Sequence, residues 1–274
     1  MCRKAKELDN CIEKEYALFA MASDIIAIIA GLDPTGGAGI SADIRAASAM
    51  GASCSVAATA IALQNHNEGF SVETIPPEVF RRNLECCFSI SPSAFKVGML
   101  GTVEIAQIVF EFLENTSAPI VIDPIIESSS GMRLIDDDGL ESLRCSLFPL
   151  ATLVTPNIHE TEKLSGMTID NSFDIISAGV KIAEKYQTSV LIKGGHSKSA
   201  PTDYLICPQG ITEFSGKRVE GNFRGTGCSL STLITVGLAK GNNLQTAVEN
   251  AKTILENAMA NSTPPYLTFS KLYA

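Results

Sequence analysis

The sequence has no tryptophan, only 3 histidines, and fewer basic residues (21) than acidic ones (30). The formal net charge is −9, and no stretch gathers Lys and Arg into a stripe. Nucleic-acid binding is therefore disfavoured, and any bound polyphosphate must be held by local donors and metal against a repelling global field. The 8 cysteines include the neighbours Cys86 and Cys87 but no C-x-x-C pair. Without metal-ligand spacing they read as reduced core thiols of a cytoplasmic protein, not as disulfides or a zinc site. No apolar run approaches the roughly 18 residues of a membrane span. Residues 1–23 mix Arg3, Lys4, Lys6 and Lys14 with Glu7, Asp9, Glu13 and Glu15, and lack the apolar core of a signal peptide. Residues 1–22 read as a poorly ordered extension, or Met21 as the true start. No repeat, low-complexity tract or linker divides the rest, so 23–274 reads as one domain.

What is present is apolar and alternating. Hydrophobic residues make up 45% of the chain, enough for a sizeable core. Short apolar runs at 25–30, 53–63, 95–97, 120–122, 153–154 and 190–192 read as buried strands. Helical spacing fills the gaps at 39–50, 77–88, 102–114, 139–146, 159–164 and 172–186. A hairpin is expected around Gln209-Gly210, and a last amphipathic helix over 246–260. Near-continuous apolar strands alternating with helices predict an α/β fold with a central, mainly parallel sheet covered on both faces. In such sheets ligands bind at the carboxyl ends of the strands.

Polar residues collect at those ends. Gly225-Thr226-Gly227-Cys228 precedes a helix expected over 230–238. A glycine turn feeding a helix N-terminus presents free N–H groups and a positive dipole, which is an anion hole suited to phosphate. An ordinary turn and cap is the alternative. Cys228 would lie on its rim, where the field stabilises a thiolate. A second glycine-rich turn, Gly31 to Gly39, follows the first strand and contains Asp33. Asp33 and Asp43 are placed to orient substrate or to cap backbone amides. Asp123 ends one strand, Asn157 follows another, and Lys193 follows a third. Asn157 and Glu160 fit a helix-capping box, or Glu160 holds Mg²⁺ beside a polyphosphate with Asp123 sharing the ion. Lys193 contacts phosphate or only snorkels to solvent. Gln64, an amide that both donates and accepts, suits a heteroaromatic ring bearing an amine.

In order along the chain, Gly31-x-Asp33-Pro34-x-Gly36-Gly37-Ala38-Gly39, Ala62-Leu63-Gln64-Asn65, Lys96-Val97-Gly98-Met99-Leu100, Asp123-Pro124, Thr155-Pro156-Asn157-x-x-Glu160, Lys193-Gly194-Gly195-His196 and Gly225-Thr226-Gly227-Cys228 resemble the hydroxymethylpyrimidine/phosphomethylpyrimidine kinases of thiamine biosynthesis. The resemblance implies a ribokinase-like fold, ATP and Mg²⁺, and a homodimer. It implies phosphorylation of 4-amino-5-hydroxymethyl-2-methylpyrimidine and then of its monophosphate. It implies that Gln64 contacts the pyrimidine with Gly31, Asp43 and Met99 nearby. Asn157, Lys193 and Glu160 then serve Mg-ATP, Gly225 to Cys228 form the anion hole, and Cys228 accepts the hydroxymethyl proton. The chain departs from the family at 127–132, where Ser129 replaces a usual lysine and Met132 a usual acid, and at His66, where threonine is common. Pyridoxal kinases share the fold and can share the cysteine, and the Gln64-Asn65 pair favours the aminopyrimidine over them. A non-catalytic sensor of ATP or pyrimidine is the reading from a different class.

Overall fold

In a computed structural model, which describes residues 24–65, 68–128, 131–194 and 201–269, the apolar runs assemble into one nine-stranded sheet. The strands are β1 (Ile25–Leu32), β2 (Ser53–Gln64), β3 (Gly69–Thr74), β4 (Ala94–Val97), β5 (Ile120–Ile122), β6 (Leu153–Val154), β7 (Ser189–Ile192), β8 (Thr202–Cys207) and β9 (Gly210–Ser215). Their order is β3-β2-β1-β4-β5-β6-β7-β8-β9. Strands β2, β1, β4, β5, β6 and β7 run parallel, while β3 and the β8–β9 pair add antiparallel edges. The helices are α1 (Gly39–Ala49), α2 (Pro77–Phe88), α3 (Val103–Leu113), α4 (Asp137–Ser142), α5 (Ile158–Ser165), α6 (Ser172–Tyr186), α7 (Thr226–Ala239) and α8 (Leu244–Ala260).

The period of two along each strand sends alternate side chains to opposite faces. Ala27 and Ile29 of β1 pack with Phe80, Leu84, Ile105 and Val109 from α2 and α3. Ile26, Ile28 and Ala30 turn the other way, onto Ile40 and Ala47 of α1 and Val236 of α7. Ile122, Val154 and Val190 continue the first face, and Val121, Leu153 and Leu191 the second, beneath α7 and α8. Each Val, Leu, Ile or Phe side chain among them contributes about 1.5–3 kcal/mol on burial, and each alanine methyl less. This is the central, mainly parallel sheet covered by helices on both faces that the alternating apolar runs predicted.

The order reverses at β1. Its first crossover leads to β2 on one side, and β4 then docks on the other. The carboxyl ends of β1 and β4 therefore flank a topological switch point, the usual crevice of such sheets. Gly31 lies there, inside an irregularity between Ala30 and Leu32, so β1 runs past the glycine expected to end it. A Cβ at Gly31 would lie 2.7 Å from the Met99 sulfur, so Met99 packs directly over this glycine.

Three elements differ from expectation. β3 was unexpected; it is a short edge strand whose Phe70 is exposed, so it carries little apolar alternation. The helix expected over 139–146 becomes α4, a π turn at Leu143–Leu147 and a 3₁₀ turn at Phe148–Leu150. Pro149 has no N–H to continue an α-helix; the chain widens into the π turn before it and tightens to 3₁₀ around it. α7 begins at Thr226, directly after Gly225, with no intervening loop. The expected extension at 1–22 lies outside the described residues, as do His66, Ser129, Gly195 and His196.

Candidate active site

The first glycine-rich turn is wound around Asp33. Its buried carboxylate accepts hydrogen bonds from Thr35 N–H (3.0 Å) and Oγ1 (2.8 Å) and from Ala38 N–H (3.0 Å). Arg45 donates to the Gly36 carbonyl at 2.7 Å. Asp33 thus caps backbone amides, the second of the two roles open to it.

The second turn closes on the first. Gly225 is left-handed (φ 69°), and a Cβ there would lie 2.4 Å from the Gly37 carbonyl oxygen and 3.2 Å from the Ala38 Cα. Turns from opposite ends of the chain are therefore in backbone contact at the switch point. No side chain caps α7, so its first-turn N–H groups at Thr226, Gly227 and Cys228 are aimed out of the helix without an intrahelical partner.

Around this N-terminus stand two charged clusters. In one, Lys193 Nζ lies 2.6 Å from Asp123 Oδ1, which also accepts from Thr155 Oγ1 at 3.1 Å. A Cβ on Gly227 would lie 3.2 Å from the Lys193 ammonium. Burial opposes that charge, but Asp123 and Glu160 outweigh it and raise the lysine's pKa. Asn157 and Glu160 form a complete capping box on α5: Asn157 Oδ1 accepts from Glu160 N–H (2.8 Å), and Glu160 Oε2 from Asn157 N–H (2.7 Å). Burial lifts the Glu160 carboxyl to about 7, with Lys193 pulling it down and Asp123 pushing it up. The capping role and a place in the charged cluster are both realised.

The other cluster is fully sealed. Lys96, in the middle of β4, pairs with Asp43 of α1 at 2.8 Å, and both are 0% exposed. The second Asp43 oxygen accepts from Thr232 Oγ1 at 2.8 Å. Thr232 lies one turn below Cys228 on α7, so the cluster supports the floor of the anion hole. Burial pulls against the Lys96 charge, but Asp43, Cys228 and Asp123 hold it protonated.

The sequence matches the phosphomethylpyrimidine kinase family over residues 33–268. The chain belongs to this family. A hydroxymethylpyrimidine/phosphomethylpyrimidine kinase of Staphylococcus aureus is 37% identical over 233 residues, 83% of this chain and 84% of that protein. A Clostridium difficile phosphomethylpyrimidine kinase crystal structure superposes with a TM-score of 0.76 at 34% identity, covering 86% of this chain and 99% of that one. Staphylococcus aureus pyridoxal kinase, in complex with AMP-PCP and pyridoxal, gives a TM-score of 0.80 at 31% identity, covering 88% and 89%. The protein is a phosphotransferase of ribokinase-like fold that uses ATP.

Two expectations for this kinase need correction. Cys228 is buried, not on a rim, and burial pushes its thiol up to about 12. Lys96 and the Gly39 N–H pull the other way, while Asp43 and Asp123 add to the rise. The helix N-terminus does not yield a resting thiolate. Asp43, expected near the substrate, is sealed against Lys96 and Thr232 and has no face open to a ligand.

Gln64 ends β2, pairs in register with Gly69 of β3, and is half-buried. Met99 is buried in a small apolar group with Ala60, Ala62 and Leu134, against which Met132 packs. The Met132 sulfur would lie 2.8 Å from a Cβ on Gly69, so Met132 packs against the β2–β3 hairpin. Sequence reasoning missed Arg224. Its guanidinium reaches Asn65 O at 3.0 Å and Asp33 Oδ2 at 3.4 Å, linking both substrate-side strand ends to the anion hole. The available signal was a lone arginine directly before Gly225. Lys96, quoted only within a motif, was legible as the single charge inside Phe95-Lys96-Val97.

Proposed function

We propose that this kinase transfers a phosphoryl group from ATP to the hydroxymethyl oxygen of 4-amino-5-hydroxymethyl-2-methylpyrimidine, and a second one to the resulting monophosphate. The observation carrying this reading is the contact of the Gly225 turn with Gly37 and Ala38. It brings the α7 N-terminus to the first glycine-rich turn, beyond the carboxyl end of β1, which supports placing the substrate near Gly31, Met99 and Gln64. Gln64 donates to and accepts from the aminopyrimidine edge, and Met99 lies against the ring. Backbone N–H groups of Thr226 to Cys228 stabilise charge on the transferring phosphoryl group, and Lys193 balances charge on the nucleotide. Cys228, still protonated at neutral pH, contacts the hydroxymethyl group as a hydrogen-bonding partner.

Among the described residues no three His, Cys, Asp or Glu side chains cluster as a metal cage. Asp123 and Glu160 instead fit a hydrated Mg²⁺ that arrives with the phosphates, the usual habit of that ion. When bound it supplies charge neutralisation. The expected homodimer belongs to the same proposal; the exposed edge strand β3, with Phe70 in solvent, is the surface it would use. No helix among the described residues is long and apolar enough to cross a membrane, which fits a cytoplasmic enzyme.

The test is incubation with Mg-ATP and the hydroxymethylpyrimidine, with products identified by mass. Successive mono- and diphosphate are expected. ATP binding without product would favour the sensor reading. Pyridoxal in parallel tests the second reading, favoured by the close superposition on a pyridoxal kinase.

A further inference from the structure

The second transfer sets a problem the first does not. Its acceptor is already an anion, in a protein of net charge −9. Lys96 is sealed beneath the site by Asp43, Lys193 is bound to Asp123, and Arg45 donates to the Gly36 carbonyl.

Arg224 is placed differently. It directly precedes Gly225, and its backbone N–H is anchored to the Pro265 carbonyl at 2.9 Å. Its side chain lies along Gly37, where an added Cβ would be 3.1 Å from Nε. The guanidinium thus sits between the anion hole and Asn65, the neighbour of Gln64. Its contact with Asp33 is long, 3.4 Å, against about 2.7–2.9 Å for a good charge-assisted bond. Asp33 does not depend on it, because Thr35 and Ala38 already donate to that carboxylate. A planar fork with a weakly held partner is suited to exchange that partner for a phosphate.

We propose that Arg224 is the specificity residue of the second step, holding the phosphate of the pyrimidine monophosphate beside the Gly225 turn. The inference rests on the two-step reading above. In that step a phosphate oxygen of the monophosphate attacks the γ-phosphorus of ATP. The bond to the β–γ bridging oxygen breaks, and ADP leaves with the electron pair. The attacking phosphate has a second pKa near 6, so at neutral pH it has already lost its proton and no base is required. A protonated Cys228 is compatible with this.

The experiment compares wild type, Arg224→Gln and Arg224→Lys. Monophosphate binding is titrated without ATP, and kcat/KM is measured separately for each step. Arg224→Gln should weaken monophosphate binding about 10- to 100-fold and lower the ratio of second-step to first-step kcat/KM by a similar factor, mainly through KM. Arg224→Lys should recover part of both. Equal losses in the two steps would mean that Arg224 only braces the turn, and would overturn the proposal, as would unchanged monophosphate affinity. A wild type that binds the monophosphate through Arg224 but forms no diphosphate would sink the two-step reading and uphold the phosphate contact.

Discussion

Replacing Gly225 by alanine separates the contact between the two turns from ordinary backbone strain. Gly225 has φ 69° and ψ 16°, and its Cβ would meet the Gly37 carbonyl at 2.4 Å. Gly166, at the end of α5, has almost the same backbone, φ 69° and ψ 23°, with nothing within 4 Å of its Cβ position. Both substitutions incur the left-handed penalty of about 1–2 kcal/mol. That lowers Tm by a few degrees in a chain of this size. Only Gly225→Ala must also push a carbonyl aside, parting the turns by on the order of 1 Å, and a displacement of that size at reacting groups costs about 100-fold in rate. Steady-state assays should show that loss in kcat/KM for Gly225→Ala, and less than about threefold for Gly166→Ala. Thermal melts should place the two variants within a few degrees of each other. Near-wild-type turnover in Gly225→Ala, or an equal loss in Gly166→Ala, would refute the argument that turn contact assembles the anion hole.

Four further outcomes follow from the buried titratable groups. Lys96→Met strands the buried Asp43 carboxylate and should cost about 3–5 kcal/mol in urea unfolding, while Lys96→Met combined with Asp43→Asn recovers part of it; no recovery would contradict the ion-pair account. Cys228, with its thiol near 12, should resist iodoacetamide at pH 8 while the exposed Cys86 reacts, and its labelling should climb as pH rises. For the same reason Cys228→Ser should lose less than the ~10²-fold typical of a missing general base, and a larger loss would restore the base role. Glu160 is protonated in the folded protein up to about pH 7 but ionises near 4.5 when unfolded, so its contribution to stability is lost as pH rises through that window. The Tm of Glu160→Gln relative to wild type should therefore increase from pH 5 to pH 8, and a constant difference would argue against the raised carboxyl.

The parallel core of the sheet was legible because β1, β5, β6 and β7 are buried on both faces and read as unbroken apolar runs. β3 was not, because an edge strand with Phe70 in solvent has no face that demands alternation. The polar strand ends were legible by position: Asp123, Asn157 and Lys193 each follow an apolar run. Their partners were harder, because Lys193 and Asp123 are 70 residues apart and meet only across the sheet. Cys228 shows where local reasoning fails. A glycine turn and helix start can be read from seven residues, but burial, Asp43 and Asp123 decide the thiol, and those arrive from elsewhere in the fold. Arg224 was equally hidden: its neighbours Asp33 and Asn65 are brought to it by the closure of the two turns.

The central claim, a kinase of the aminopyrimidine, is tested most directly by competition. The enzyme is given Mg-ATP with equal concentrations of the hydroxymethylpyrimidine and pyridoxal, and initial product ratios are read by mass. The ratio reports relative kcat/KM without either constant being measured. Pyrimidine phosphates should exceed pyridoxal phosphate by at least about tenfold, the advantage expected when Gln64 hydrogen-bonds the ring. An excess of pyridoxal phosphate would contradict the account.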